Sequence, residues 1–224
     1  MEPSTQITGE SEAPIKADKI KADKLKPENQ SLNEEGAEDK ERTEIEYYAN
    51  GKQQVEKYYK GGKIRKQVEY YKTGNKRQET NYNEDGKEKK IGWYRNGSEH
   101  YECNYDENHK QNGECINWYE NGNKKAEGNY DGNNKMCGTC TCWYENGNKQ
   151  NEIMIRNSEY VEMRTEWYEN GNKSVECKYD ENERIHGKQI KYDMSGIKCL
   201  ELEFEHGNLI RILNCNDGKY IFNK

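Results

Sequence analysis

From Ile45 onward the sequence repeats itself, and a repeat of this length fixes the architecture before any single residue is considered. Glycines mark the register: Gly51, Gly74, Gly97, Gly122, Gly147, Gly171 and Gly196, with a partial copy at Gly218, spaced by 22 to 25 residues. Four residues before each glycine of the full copies stand Tyr47, Tyr70, Trp93, Trp118, Trp143, Trp167 and Tyr192. One residue later come Tyr48, Tyr71, Tyr94, Tyr119, Tyr144 and Tyr168, and Asp193 breaks the series. Six before it lie Ile45, Val68, Ile91, Ile116, Thr141, Thr165 and Ile190. Five after it every full copy has glutamate: Glu56, Glu79, Glu102, Glu127, Glu152, Glu176 and Glu201. Eight after it are Tyr59, Tyr82, Tyr105, Tyr130, Ile155, Tyr179 and Phe204.

Each copy reads as a β-hairpin. β-Branched and aromatic residues alternate with polar ones, as strands with two different faces require. Glu-Asn-Gly-Asn or a close variant supplies the turn, since glycine takes positive φ without steric cost. A two-residue Asn-Gly turn would set the Ile/Val positions opposite the glutamates. A three-residue Glu-Asn-Gly loop, with glycine in the left-handed region and a bulge, shifts the pairing by one and sets them opposite Val55, Ala126, Val175 and their equivalents. The three-residue loop is therefore expected. With it come two faces: one carrying Ile/Val, Trp and the tyrosines eight after the glycine, the other the second tyrosine and the glutamates. The expected fold is all-β, an elongated single-layer antiparallel meander of about seven tandem hairpins over residues 45–224. About fifteen strands at ~4.8 Å spacing would extend on the order of 70 Å. Each hairpin is marginal alone and leans on its neighbours.

Composition supports a thin sheet over a deep core. Apolar residues are 30% of the chain and charged residues 35%, too polar for an ordinary globule. The 18 Tyr and 4 Trp supply side chains that pack while keeping a polar edge wet. Residues 1–44 hold all three prolines and no aromatic residue, with seven Lys/Arg against twelve Asp/Glu, and read as a disordered charged tail. The repeats are near neutral, with 29 basic and 30 acidic residues, so nothing supplies the basic field of a nucleic-acid binder or of a protein held to an anionic membrane. No apolar segment reads as a secretory signal or a membrane span, so a cytoplasmic, intracellular chain is expected. Its eight cysteines are then expected to be thiols.

The segment Ile116-Asn117-Trp118-Tyr119-Glu120-Asn121-Gly122-Asn123-Lys124-Lys125-Ala126-Glu127-Gly128-Asn129-Tyr130 resembles a copy of the MORN-repeat variant, the form found in YwqK-type antitoxins. The resemblance recurs over roughly residues 45–222. It implies hairpins in an elongated sheet and, for the wider MORN group, scaffold, partner-binding or lipid-associated roles; the antitoxin form implies a toxin partner. Two departures stand out. Gly92 replaces the usual spacer before Trp93, and the fifth copy, Asn151 to Met163, loses its second tyrosine and connecting glycine, so distortion is expected there.

The tryptophans Trp93, Trp118, Trp143 and Trp167 are expected to form a packing ladder, alongside the glycines. Candidate binding residues are Tyr71, Tyr94, Tyr119, Tyr144 and Tyr168, exposed unless a partner covers them, with Glu79, Glu102, Glu127, Glu152 and Glu176. Cys137, Cys140 and Cys142 have the look of half a zinc site, but no second ligand pair completes it. No nucleophile-base motif or phosphate-cradling loop occurs. A non-catalytic scaffold with a protein partner or self-association is expected, without cofactor, metal or nucleic acid. An antitoxin-like partner of a toxin and a choline-, cell-wall- or lipid-binding module are the alternatives.

Overall fold

The computed structural model describes residues 40–214 and 220–221; residues 1–39 of the expected charged tail lie outside them, and residues 41–44, also assigned to that tail, belong to the first strand. The strands are β1 (Glu41–Tyr47), β2 (Gln53–Lys60), β3 (Lys63–Tyr70), β4 (Lys76–Tyr82), β5 (Glu88–Trp93) and β6 (Glu99–Tyr105). Next come β7 (Gln111–Trp118), β8 (Lys124–Asp131), β9 (Met136–Trp143), β10 (Lys149–Arg156) and β11 (Tyr160–Trp167). The last are β12 (Lys173–Tyr179), β13 (Ile185–Tyr192), β14 (Lys198–Glu205), β15 (Asn208–Asn214) and β16 (Tyr220–Ile221). All sixteen lie in one antiparallel sheet in sequence order, so each of β2 to β15 pairs with the strand before and after it. Among the described residues there is no helix and no second layer.

The glycine turns have the expected three-residue loop. In the fourth copy the Gly122 N–H donates to the Tyr119 carbonyl at 2.9 Å, and the Tyr119 N–H donates to the Asn123 carbonyl at 2.8 Å. Gly122 has φ of 89°, which a side chain would resist. Asn121 does two jobs: its Oδ1 accepts the Asn123 N–H at 2.9 Å, and its Nδ2 donates to the Glu145 carbonyl of the next turn, also at 2.9 Å. Asn50, Asn96, Asn146 and Asn170 repeat both bonds. The turns are thus stitched to one another along one edge of the sheet.

The expected faces are corrected by one residue. Trp118 pairs with Lys124, but Asn117 pairs with Ala126, so Lys125 is an extra residue bulged out of the ladder. The same shift follows the glycine in every full copy. Ile116 therefore stands opposite Glu127, not Ala126. Directly opposed residues share a face, so the glutamates join the Ile/Val and tryptophan positions. Alternation along β8 puts Tyr130 with Ala126 on the other face, together with the second tyrosines. The tyrosine/glutamate face expected from parity does not exist: there is a tryptophan face with the glutamates and a tyrosine face without them. A bulge breaks the period of two, so parity counted from the turn fails beyond it.

The fifth copy is not distorted as expected. β10 and β11 pair from Asn151–Glu166 to Arg156–Tyr160 with one register shift, as in copies one and seven. Asn157 and Ser158 take φ of 54° and 58° at its turn, and the Glu159 N–H returns to the Arg156 carbonyl at 3.0 Å. Asn tolerates the left-handed region, which replaces the missing glycine.

Candidate interaction surface

The core is two thin seams, one on each side of the sheet. Val68, Glu79, Thr141, Thr165 and Glu201 are buried on the tryptophan face, and Thr80, Cys103, Cys115, Cys140 and Cys177 on the tyrosine face. Cys103 and Cys115 are directly opposed on β6 and β7 and form a disulfide, which corrects the expectation that all eight cysteines are thiols. Their twelve-residue separation gives no sign of this until the strand register is known. Cys137, Cys140 and Cys142 remain free, and burial pushes the thiols of Cys140 and Cys142 up, away from reactive thiolate. No group of three metal-ligating side chains occurs among the described residues.

The tyrosine column clamps neighbouring repeats together. Tyr71 OH donates to the Trp93 carbonyl at 2.8 Å, and Tyr94 to Trp118, Tyr119 to Trp143, Tyr144 to Trp167 and Tyr168 to Tyr192 at 2.8 or 2.9 Å. Tyr48 does the same to the Tyr70 carbonyl at 2.6 Å. All six rings are half-buried, not exposed. The side chain of the bulged residue lies against them: His100 is 4.3 Å from Tyr94 between ring centroids, and Lys125 Nζ is 5.5 Å from that of Tyr119.

On the opposite face the glutamates are paired. Lys124 Nζ is 2.6 Å from Glu127, Lys149 is 2.5 Å from Glu152, and Lys173 is 2.5 Å from Glu176. Residues three apart in a regular strand point to opposite faces, so these pairs exist because of the bulge. Glu79 takes Lys76 at 2.8 Å and Lys66 at 2.9 Å, and Glu102 takes Lys89 at 2.7 Å. Burial alone would raise the Glu79 carboxyl, but Lys76, Lys66 and Asn81 outweigh it and hold the group at about 2. Glu56 instead accepts the Tyr70 hydroxyl at 2.9 Å.

The sequence reading missed the lysines two after the glycine, Lys76, Lys124, Lys149, Lys173 and Lys198. Their regular spacing was the available signal; their role needed the register. Three of them also sit on the next copy's indole: Lys76 on Trp93 at 5.2 Å, Lys124 on Trp143 at 5.7 Å and Lys149 on Trp167 at 5.3 Å from the ring centroid. The tryptophans thus form a ladder with ammonium groups between the rungs.

On the tyrosine face Glu88, almost fully buried, has His109 Nδ1 2.9 Å from one oxygen and Lys90 Nζ 2.8 Å from the other. The second contact lies off the line of a hydrogen bond, and we read it as charge pairing that neutralises the carboxylate.

Fold and faces define a tandem-hairpin repeat protein of one β-layer, an architecture typical of non-enzymatic binding modules. Two segments of it, residues 111–131 and 136–157, match the MORN repeat variant; they are the hairpins β7–β8 and β9–β10. No curated protein matches the chain. Among solved structures, a protein of unknown function from Bacteroides fragilis NCTC 9343 aligns with 83% of this chain and 90% of its own at 10% identity. The TM-score of that alignment is 0.14, too low to carry any argument.

Proposed function

We propose that the chain is a protein-binding scaffold that engages its partner through the tryptophan face. The observation that carries this reading is a long single-layer sheet whose tryptophan face no other described element covers. That face offers regularly spaced indoles, ion pairs and, near its C-terminal part, a depression of about 420 Å³ lined by Met163, Glu176, Lys178, Lys188 and Ile190 among others. Apolar groups framed by charges are the composition of a protein interface. The second tyrosines have a structural task, and the glutamates are contact residues only together with their lysines. The antitoxin and cell-wall readings gain no support from any residue described above.

Capture from the native host with immobilised protein, alongside light scattering of the purified chain, tests the proposal. A partner protein, or a second copy, is expected on the wild-type chain and not on a Met163→Glu variant of unchanged circular dichroism. A strict monomer that captures nothing sinks it. So does flotation with anionic liposomes in place of protein capture.

A further inference from the structure

Three rungs of the tryptophan ladder hold their own ammonium group between a glutamate and an indole: Lys76 with Glu79 and Trp93, Lys124 with Glu127 and Trp143, and Lys149 with Glu152 and Trp167. One indole breaks the series. The residue two after Gly97 is Glu99, so a carboxylate stands in the ladder position from which the lysines of other copies reach the next indole, here that of Trp118. Register confirms the equivalence. Trp93 pairs with Glu99 as Trp118 pairs with Lys124, and Tyr101 pairs with Asn117 on the strand carrying Trp118. Glu99 is exposed, and among the described residues its carboxylate makes no ion pair or hydrogen bond. Glu102, the glutamate of this copy, is held by Lys89 at 2.7 Å. Two carboxylates against one lysine leave an excess negative charge on the strand next to that of Trp118, whose indole π-face attracts cations and repels anions.

We propose that Trp118, Glu99 and Glu102 form a receptor site for a primary alkylammonium, the lysine side chain of a partner protein. The three filled rungs specify the occupant, because each is the same recognition made within the chain: an ammonium on an indole face, hydrogen-bonded to the carboxylate five after the glycine. A partner lysine would complete the ladder from outside and fix the partner's register along the sheet. This rests on the protein-binding reading for the source of the lysine, but the site itself is tested without any partner.

The experiment follows the indole N–H signals of the full chain in proton–nitrogen correlation spectra during titration with Nα-acetyl-lysine N-methylamide. The Trp118 signal is expected to shift saturably while Trp93, Trp143 and Trp167 stay still, and the norleucine analogue, which lacks the ammonium, should move none of them. Glu99→Lys closes the site with an internal ammonium and should abolish the shift. Glu99→Gln keeps the shape and should weaken binding roughly 2- to 5-fold, the worth of one exposed charge contact. An unmoved Trp118, an equal response from all four indoles, an equal response to norleucine, or tighter binding of tetramethylammonium overturns the proposal. Saturable binding of the lysine amide with no protein captured would sink the scaffold reading and leave the site standing; the reverse pair of results would do the opposite.

Discussion

Gly122 and Gly92 serve opposite purposes. At Gly122 the backbone is left-handed, with φ of 89°, and an added Cβ would meet nothing within 4 Å. The penalty of Gly122→Ala is therefore conformational, about 1–2 kcal/mol. Gly92 lies in a strand without positive φ, but a Cβ there would be 2.3 Å from Cε1 of Tyr101. Its partner across the ladder is Tyr101, whose ring lies over it and whose hydroxyl donates to Gln78 at 2.6 Å. The Gly92 that looked like a departure from the repeat makes room for a tyrosine where other copies have Val, Gln, Ala, Asn or Leu. Gly92→Ala should cost about 1–3 kcal/mol by crowding. In urea unfolding, Tyr101→Ala should relieve part of that loss, whereas it should not rescue Gly122→Ala; additive costs at Gly92 and Tyr101 would refute the close contact.

At the scale of the hairpin, stability passes from copy to copy through two polar ladders. Tyr119 ties its loop to the main chain of the next copy at Trp143, and Asn121 ties the same loop to Glu145. Tyr119→Phe should lose about 0.5–1.5 kcal/mol, the net worth of one hydrogen bond. Asn121→Asp keeps the oxygen that caps Asn123 but sets a charged oxygen against the Glu145 carbonyl in place of the donor, and Asn121→Ala removes cap and donor without adding a charge, so both should be destabilised. Denaturant melts of the three variants measure this. If Asn121→Asp equals wild type, the inter-turn bond contributes nothing; if Asn121→Ala does as well, neither does the cap.

Over the whole molecule the paired glutamates make stability depend on acid. Glu79 is held at about 2, and Glu176 and Glu201 are also lowered. For Glu201 the first cause is Lys188, with Lys198; for Glu176 burial opposes the shift, and Lys173 and Tyr192 overcome it. A carboxylate depressed in the folded state stabilises it above the ordinary value of 4.5 and loses that contribution as pH falls toward the folded value. Tm should therefore drop as pH falls from about 4.5 to 2, and Glu79→Gln should flatten that part of the profile. At the other end, Tyr192 is raised to about 12 by its bond to Glu176 and by burial, and Tyr70 to about 12 by burial and its bond to Glu56. Both contributions are present below 10 and fade as pH rises through 12, an ultraviolet titration of the phenols being the check. A Tm indifferent to acid would mean that the glutamate pairs are solvated decoration.

The repeat spacing by itself determined the meander and the strand order, because glycine at a left-handed position and alternating side chains are local requirements that the residues satisfy in place. The three-residue loop is also the expected one, but the pairing of Ile116 with Ala126 expected along with it does not form. It also marked the aromatic and glutamate positions as regular. It did not determine which face each occupies. Alternation carries that information only along an unbroken strand, and the residue three after each glycine bulges out and resets it. What the bulge achieves, a lysine and a glutamate three apart on one side of a strand with an indole from the next copy, exists only between strands. The pairing of Cys103 with Cys115 and the ring of Tyr101 over Gly92 were hidden for the same reason: each is a relation across a ladder whose register only the assembled sheet decides.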